Sequence, residues 1–383
     1  MAVKKKTSAP VPVLTPRALG RATLARQLLL RRTAMSAERA VHHLVGLQAQ
    51  NAKPPYYQLL ARLEGFAPAE LSGLMESRAV VRIVSLRSTV HTHTADDALT
   101  LRPLVQPARN RELRMFRAGL TGVDLDRLGA LARAYVEEEP RTPKEIREHL
   151  LLEWPDADPQ SLSTAARCLL PLVQVTPRGL WGRSGKVALT TVEHWLSRPS
   201  RPAAPLDATV LRYLGAFGPA SVKDFQSWSG LTRTREAFER LRPDLLTFRD
   251  EHGVELFDLP DAPRPDEDTP APPRFLPEFD NVLLGHADRT RVIPPHLKGR
   301  NGVGNQAYGT VLADGSLAAI WRHGTATGPA PGTLTVQPLR ALTAAERDAV
   351  TEEAEALLAA TAEPDAPAAP YDVRFASFID FGD

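Results

Sequence analysis

Cysteine is nearly missing from this chain: Cys168 stands alone among 383 residues. An internal disulfide and a thiolate metal cluster are both excluded, and with them the disulfide-stapled secreted scaffolds. Its neighbours Ala165, Ala166, Leu169 and Leu170 place it on an apolar helix, where a free thiol packs as a small hydrophobe. The expected compartment is a reducing cytoplasm. Long apolar runs are absent too, so no segment suits crossing a bilayer. The opening Met-Ala-Val-Lys-Lys-Lys turns proline-rich without the apolar stretch of a secretory signal, and residues 1–14 read as a disordered tail. A strong charge excess is also lacking, since the formal net charge is only +2; the whole-chain balance does not single out nucleic acid. There is no glycine-rich phosphate loop, no dinucleotide fingerprint after a strand and no His-Glu-x-x-His.

With 43% hydrophobic and 24% charged residues, the chain can bury real cores. Its length allows about two to four modules. Arginine clusters at Arg109, Arg111, Arg114 and Arg117, while acid gathers at Asp261, Asp266, Glu267 and Asp268. A local basic face of this kind suits phosphate contact and equally a solvated helix. Proline-rich stretches at 198–205 and 260–273 block helix and ladder alike and mark linkers, the second of them acidic.

Between these marks a pattern recurs: helix, short helix, turn, helix, then a two-stranded hairpin. It is clearest at 206–260. A helix over 207–217 is stopped by Gly218-Pro219, and Ser221 caps the next with Asp224 at the third position. Val222, Phe225 and Trp228 share one helical face. A further helix runs from Thr232 to Leu241, and strands at 246–248 and 254–256 flank a turn. Helix–turn–helix followed by a hairpin is a winged helix. A second copy, 119–200, opens a helix on Thr142-Pro143-Lys144-Glu145, another near Ser161, and strands at 173–176 and 187–190. The first, 15–118, is looser, with a second helix starting at Ser36 and strands at 82–84 and 89–91. From 274 to 383 the chain changes character. Short β-type runs at 310–312, 318–321 and 333–336, an Asp314-Gly315 hairpin turn and one amphipathic helix from Thr343 to Leu358 predict a small β-rich domain. The fold class expected is α+β: tandem winged helix-turn-helix motifs with a C-terminal β-rich domain.

Few residues announce chemistry. His91 and His93 share one face of a strand, but no third ligand is near; hydrogen-bonding or DNA-facing roles suit them better than metal, and no metal is expected. Asp280, His286 and Asp288 lie in a polar–apolar segment read as a bridge between modules, with Asp288 pairing Arg289 or Arg291. Gln48-Ala49-Gln50 falls at the expected end of a helix. By itself such an amide pair is ordinarily just a polar stretch of surface. Lys298-Gly299-Arg300-Asn301-Gly302-Val303-Gly304-Asn305 is basic and glycine-rich, suited to close approach to a backbone and equally to an ordinary loop.

Gly46-Leu47-Gln48-Ala49-Gln50, Arg87-Ser88-Thr89-Val90-His91, 276–281 with His286-Ala287-Asp288-Arg289, and the stretch from Asn301-Gly302 to Trp321-Arg322 together resemble one family, in order. It is the AlkZ-like family of bacterial winged-helix DNA glycosylases, the azinomycin-type self-resistance enzymes. The resemblance implies tandem winged helices around a concave DNA-binding face. It also implies a Gln-x-Gln catalytic motif, here Gln48 and Gln50, in the form of the antibiotic-resistance branch. DNA contact is expected from Asn51, Lys53, Arg87, Thr89, His91, Lys298, Arg300, Asn301, Asn305, Arg322 and His323, with 298–305 as the probing hairpin. The partner implied is double-stranded DNA carrying bulky alkyl-purine lesions, met by a monomer in the cytoplasm, at the nucleoid, with no cofactor and no membrane.

The chemistry is sound without a carboxylate. Alkylation at purine N7 leaves a cationic base that departs readily, so what remains is placing a water below C1′ and stabilising an oxocarbenium-like sugar. An amide carbonyl can accept a hydrogen bond from that water. Lys53 is the nearest lysine, yet none is well placed as a Schiff-base nucleophile, so a monofunctional enzyme is expected. Winged helices also serve as transcriptional regulators and protein-binding scaffolds without catalysis. Three units in one chain fit a monomer around a lesion better than a regulator dimerising on half-sites.

Overall fold

The computed structural model describes residues 11–304, 306–324, 332–362 and 371–381, and the chain is a mixed α+β protein. The local start signals act as the sequence predicts. Thr142, Ser221 and Thr343 each close a reciprocal capping box, with Glu145, Asp224 and Glu346 respectively. Asp314 and Gly315 adopt φ of 49° and 77° between paired Ala313 and Ser316, the left-handed pair that a two-residue hairpin requires.

The strands of the first and second expected units are not separate wings. They merge into one five-stranded antiparallel sheet, ordered Leu47–Gln48, Val90–Thr94, Val80–Val84, Leu172–Gln174, Leu189–Thr191. The seam is Arg82 opposite Gln174 and Ile83 opposite Val173. Joining the hairpins removes two unpaired edges and buries Ile83 and Val173 with Leu99 and Val192. The sheet therefore crosses the boundary expected at 118–119.

The third unit follows the expected succession: Leu206–Phe217, Val222–Ser229, Arg235–Leu241, then antiparallel strands Leu246–Asp250 and Glu255–Asp258. Its last helix begins at Arg235 rather than Thr232. Tyr213, Phe217, Phe225, Trp228 and Phe238 pack in its core. Val13–Leu14, expected within the disordered tail, adds a parallel strand to Leu246–Asp250. The C-terminal sheet runs Asp372–Phe375, Thr333–Pro338, Ser316–His323, Gly309–Ala313, Arg274–Leu276. The helix Ala344–Thr361 contacts both outer strands of that sheet, Arg274–Leu276 and Asp372–Phe375. Its core is continuous with the N-terminal helices: Val41, Tyr56 and Leu71 join Phe275, Trp321 and Val350 in one cluster.

Buried ion pairs tie the parts together. Arg26 grips Asp258 at 2.5 and 2.8 Å, and Arg62 grips Asp280 at 2.8 Å through both nitrogens, with all four side chains fully buried. The acidic proline-rich stretch is strapped to the helix Pro16–Arg26, since Thr15 donates to Glu267, Arg21 to the Thr269 carbonyl and Arg26 to the Pro263 carbonyl. The 279–289 segment bridges modules as expected, through Asp280 and through His286, bonded to the Phe217 carbonyl at 2.8 Å. Asp288, however, does not pair Arg289 or Arg291; it caps Thr290 at 3.0 Å, while Arg291 bonds Thr23 and the Pro219 carbonyl. In the arginine cluster, Arg109 is buried against Glu112 and Arg111 donates to the Gly230 carbonyl, so at least half of it holds protein together. No helix among the described residues is long and apolar enough to cross a membrane.

Candidate active site

The Gln-x-Gln segment begins on a strand, not at the end of a helix. The helix Ala37–His43 stops, and Val45 and Gly46 turn left-handed at φ 55° and 93°. That reversal sends Leu47 and Gln48 into register with Thr92 and His91. Gly46 is required twice over: its φ is one that side chains rarely adopt, and a Cβ there would lie 2.3 Å from the His93 ring. Asn281 clamps the same turn by donating to the Gly46 carbonyl at 2.8 Å.

Beyond Gln48 the chain leaves the sheet and is held by Arg82, which is 1% exposed. Its guanidinium donates to the carbonyls of Ala49 at 2.8 Å and Asn51 at 3.3 Å, and to Gln174 Oε1 at 3.3 Å. Burial, then the charge of Arg178, brings Arg82 down to about 10. An arginine inside the apolar strand Val80–Val84 was the sequence signal for this clamp, and it was missed.

Gln48 is 4% exposed, and its side-chain oxygen accepts from Arg87 Nη2 at 2.6 Å. A guanidinium only donates, so the amide orientation is forced: the oxygen faces Arg87 and the NH2 points away from it. Arg87 is fixed in turn, with Nη1 on the Trp228 carbonyl at 2.8 Å and Nη2 3.3 Å from His91 Nε2. His91 Nδ1 donates to the Thr89 carbonyl at 3.0 Å, which leaves Nε2 to accept from Arg87. Burial, then Arg87 and His93, holds the His91 imidazole well below its usual range and therefore neutral. Arg87 and Ser88 sit at φ 51° and 60°, strained backbone of the kind that gathers at functional sites. Gln50 is exposed; its Oε1 takes only a long 3.4 Å bond from the Val90 amide.

The other expected site residues fall into two groups. Asn51, Lys53, Arg322 and His323 line one cavity of about 500 Å³, together with Glu278 and the hairpin residue Gln306. There Asn51 donates to Glu278 at 2.9 Å, Lys53 stands 5.9 Å from the Trp181 ring, and Arg322 lies over Phe378 at 4.5 Å. His323 packs on Tyr57 and Trp321 at 5.4 and 5.2 Å, and burial followed by Lys53 lowers it to about 4. Lys298, Arg300 and Asn301 lead into a hairpin of Gly302–Val303 paired with Gln306–Ala307. Lys298 is exposed, Arg300 lies 5.4 Å from the Phe381 ring, and Asn305 is outside the described residues. His91, expected at the DNA, is only 1% exposed, and Arg87 donates to protein acceptors, because both build the wall behind Gln48. Thr89 donates to the Leu86 carbonyl at 3.1 Å. Among the described residues no group of three or more His, Cys, Asp or Glu is arranged to hold a metal.

The chain is similar in structure to the DNA glycosylase AlkZ of Streptomyces sahachiroi, with a TM-score of 0.77 and 18% identity over 95% of this chain and 100% of that one. No curated protein matches it in sequence. A family model described as DNA glycosylase AlkZ-like matches residues 41–360, a span that holds the Gln-x-Gln segment, its arginine clamps and the 302–307 hairpin. The chain belongs to the AlkZ-like DNA glycosylase family.

Proposed function

We propose that the chain is a monofunctional glycosylase for bulky N7-alkylguanine adducts in duplex DNA, with interstrand crosslinks as a further candidate substrate, serving self-resistance to a genotoxic natural product. Gln48 and Gln50 are its catalytic pair. The observation that carries this is the forced orientation of Gln48. With its oxygen on Arg87, Gln48 offers N–H donors, while the weakly held oxygen of Gln50 offers an acceptor. One amide donating and one accepting hold a water by its oxygen and one of its protons, leaving the other lone pair for the sugar. Of the two amide carbonyls, that of Gln48 anchors its own side chain on Arg87, so the acceptor for the water is that of Gln50.

Two amides abstract a proton poorly, so the leaving group must be good, and a cationic N7-alkylated base is one. The helix–helix–helix–hairpin unit 206–258 reads as a winged helix, and the 302–307 hairpin, beside exposed Lys298, as the element that probes the groove. A bulky adduct resists extrusion into a tight pocket, which favours reading the lesion along the groove. The test is a comparison of substrates. Free modified base should be released from cationic N7-alkylguanine duplex and only slowly from a neutral damaged base, with no covalent complex trapped by borohydride. Equal rates on neutral lesions, or a trapped complex at Lys53, would contradict the reading.

A further inference from the structure

A second cavity, of about 250 Å³, opens beside Gln50, and its polar lining is Gln50, Gln174, Arg102, Arg167 and Arg178. The remaining wall is aliphatic or proline, and no carboxylate lines it. Arg102 is locked by bonds to Gln106 Oε1 at 2.6 Å and the Cys168 carbonyl at 2.9 Å. Arg178 donates Nη1 to the Gly185 carbonyl at 3.2 Å, and its Nε is buried without a partner. The Arg167 guanidinium has no hydrogen-bond or ion-pair partner among the described residues. Buried Arg82 adds positive charge nearby, since Arg178 repels it. Glu112 and Glu193, whose charges reach Arg102, face Arg109 and Arg133 instead.

Like charges crowded in a low-dielectric wall repel one another unless an anion joins them. The guanidinium fork matches phosphate oxygens, and a phosphodiester carries a single charge on two of them. We propose that this cavity is a phosphodiester site: it takes one backbone phosphate of the lesion strand, with Arg167 and Arg178 donating to its oxygens, and so fixes the sugar at Gln50. The proposal rests on the glycosylase reading and adds the contact that sets the register of the strand.

Binding to a duplex with a stable abasic-site analogue reads this site without turnover. A single methylphosphonate, a neutral phosphodiester, is walked along the backbone on either side of the analogue. At one position it should weaken binding about tenfold, Arg167→Ala should weaken native-duplex binding by about the same factor, and the two together should cost no more than either alone. Arg167→Ala removes no protein hydrogen bond, so folding is not at stake. Arg178→Lys keeps the charge but loses the fork, and should lose affinity only in part. Losses that multiply, or that are equal at every position, would overturn the proposal. Inorganic phosphate protecting the cavity while no phosphodiester position is sensitive would mark a free-anion site and overturn it too. Excision is not the readout, so failure here leaves the substrate assignment standing, and failure to excise bulky adducts leaves the coupling standing.

Discussion

Arg87 and Gln48 meet in a bond that only one amide orientation permits, and the orientation matters more than the residue pair. Under the proposed roles, removing Arg87 frees Gln48 to turn its oxygen to the side where its NH2 is proposed to hold the water. Arg87→Ala should lower kcat by roughly tenfold to a hundredfold with KM little changed, as for loss of a preorganised polar group. Arg87→Lys should recover part of it by keeping one donor. Steady-state kinetics decide: a rise in KM alone would instead make Arg87 a DNA contact. The buried imidazoles make a separate statement about pH. His93 and His323 are lowered to about 4, chiefly by burial, against about 6.5 in an unfolded chain. The unfolded state therefore binds more protons between those limits, and stability falls as pH drops from about 6.5 toward 4, by about 3 kcal/mol for a fully buried imidazole such as His93. Urea unfolding across that range checks it, and a flat profile would contradict it.

At the scale of elements, the structure agrees with the sequence at the capping boxes and the hairpin turn, where a local signal acts alone. Ser221 with Asp224, Thr142 with Glu145 and Asp314-Gly315 each fix their own helix start or turn within a few residues. The Gln48 strand was illegible because its cause is distant: Gly46 turns under the His93 ring, and the edge it joins is Val90–Thr94. The same holds for the merged sheet, whose seam pairs residues some ninety positions apart in sequence, a separation that no periodicity reports. The 302–307 hairpin carries its own prediction. Lys298→Ala should weaken DNA binding alike for all sequences and reduce the salt slope of log K by about 0.9, one phosphate contact. Gly302→Val, whose Cβ would lie 2.8 Å from the Gln306 carbonyl oxygen, should distort the hairpin and weaken binding with little effect on melting temperature. Salt-dependent binding isotherms separate these from a change in stability.

Over the whole molecule, modules that read as beads in sequence share their interiors. One core runs from Val41 to Val350, and two fully buried ion pairs, Arg26–Asp258 and Arg62–Asp280, join segments more than two hundred residues apart. Asp280→Ala would strand the Arg62 charge and should cost about 3–5 kcal/mol, lowering a single cooperative melting transition; a biphasic melt would show independent modules. The candidate site depends on this sharing. Gln48 comes from the first unit, and the carbonyl that fixes its arginine belongs to Trp228 of the third. A resemblance carried by short motifs could name the glutamines, whereas the wall that orients them appears only when the units close around them. The most direct test of the account is release of modified base from duplex DNA carrying a bulky N7-alkylguanine, with EDTA present, by the native chain and by Gln48→Ala and Gln50→Ala. The account predicts release by the native protein and a loss of at least about a hundredfold in each variant with DNA binding retained. Undiminished release by both variants would remove the amide pair from the reaction and contradict it.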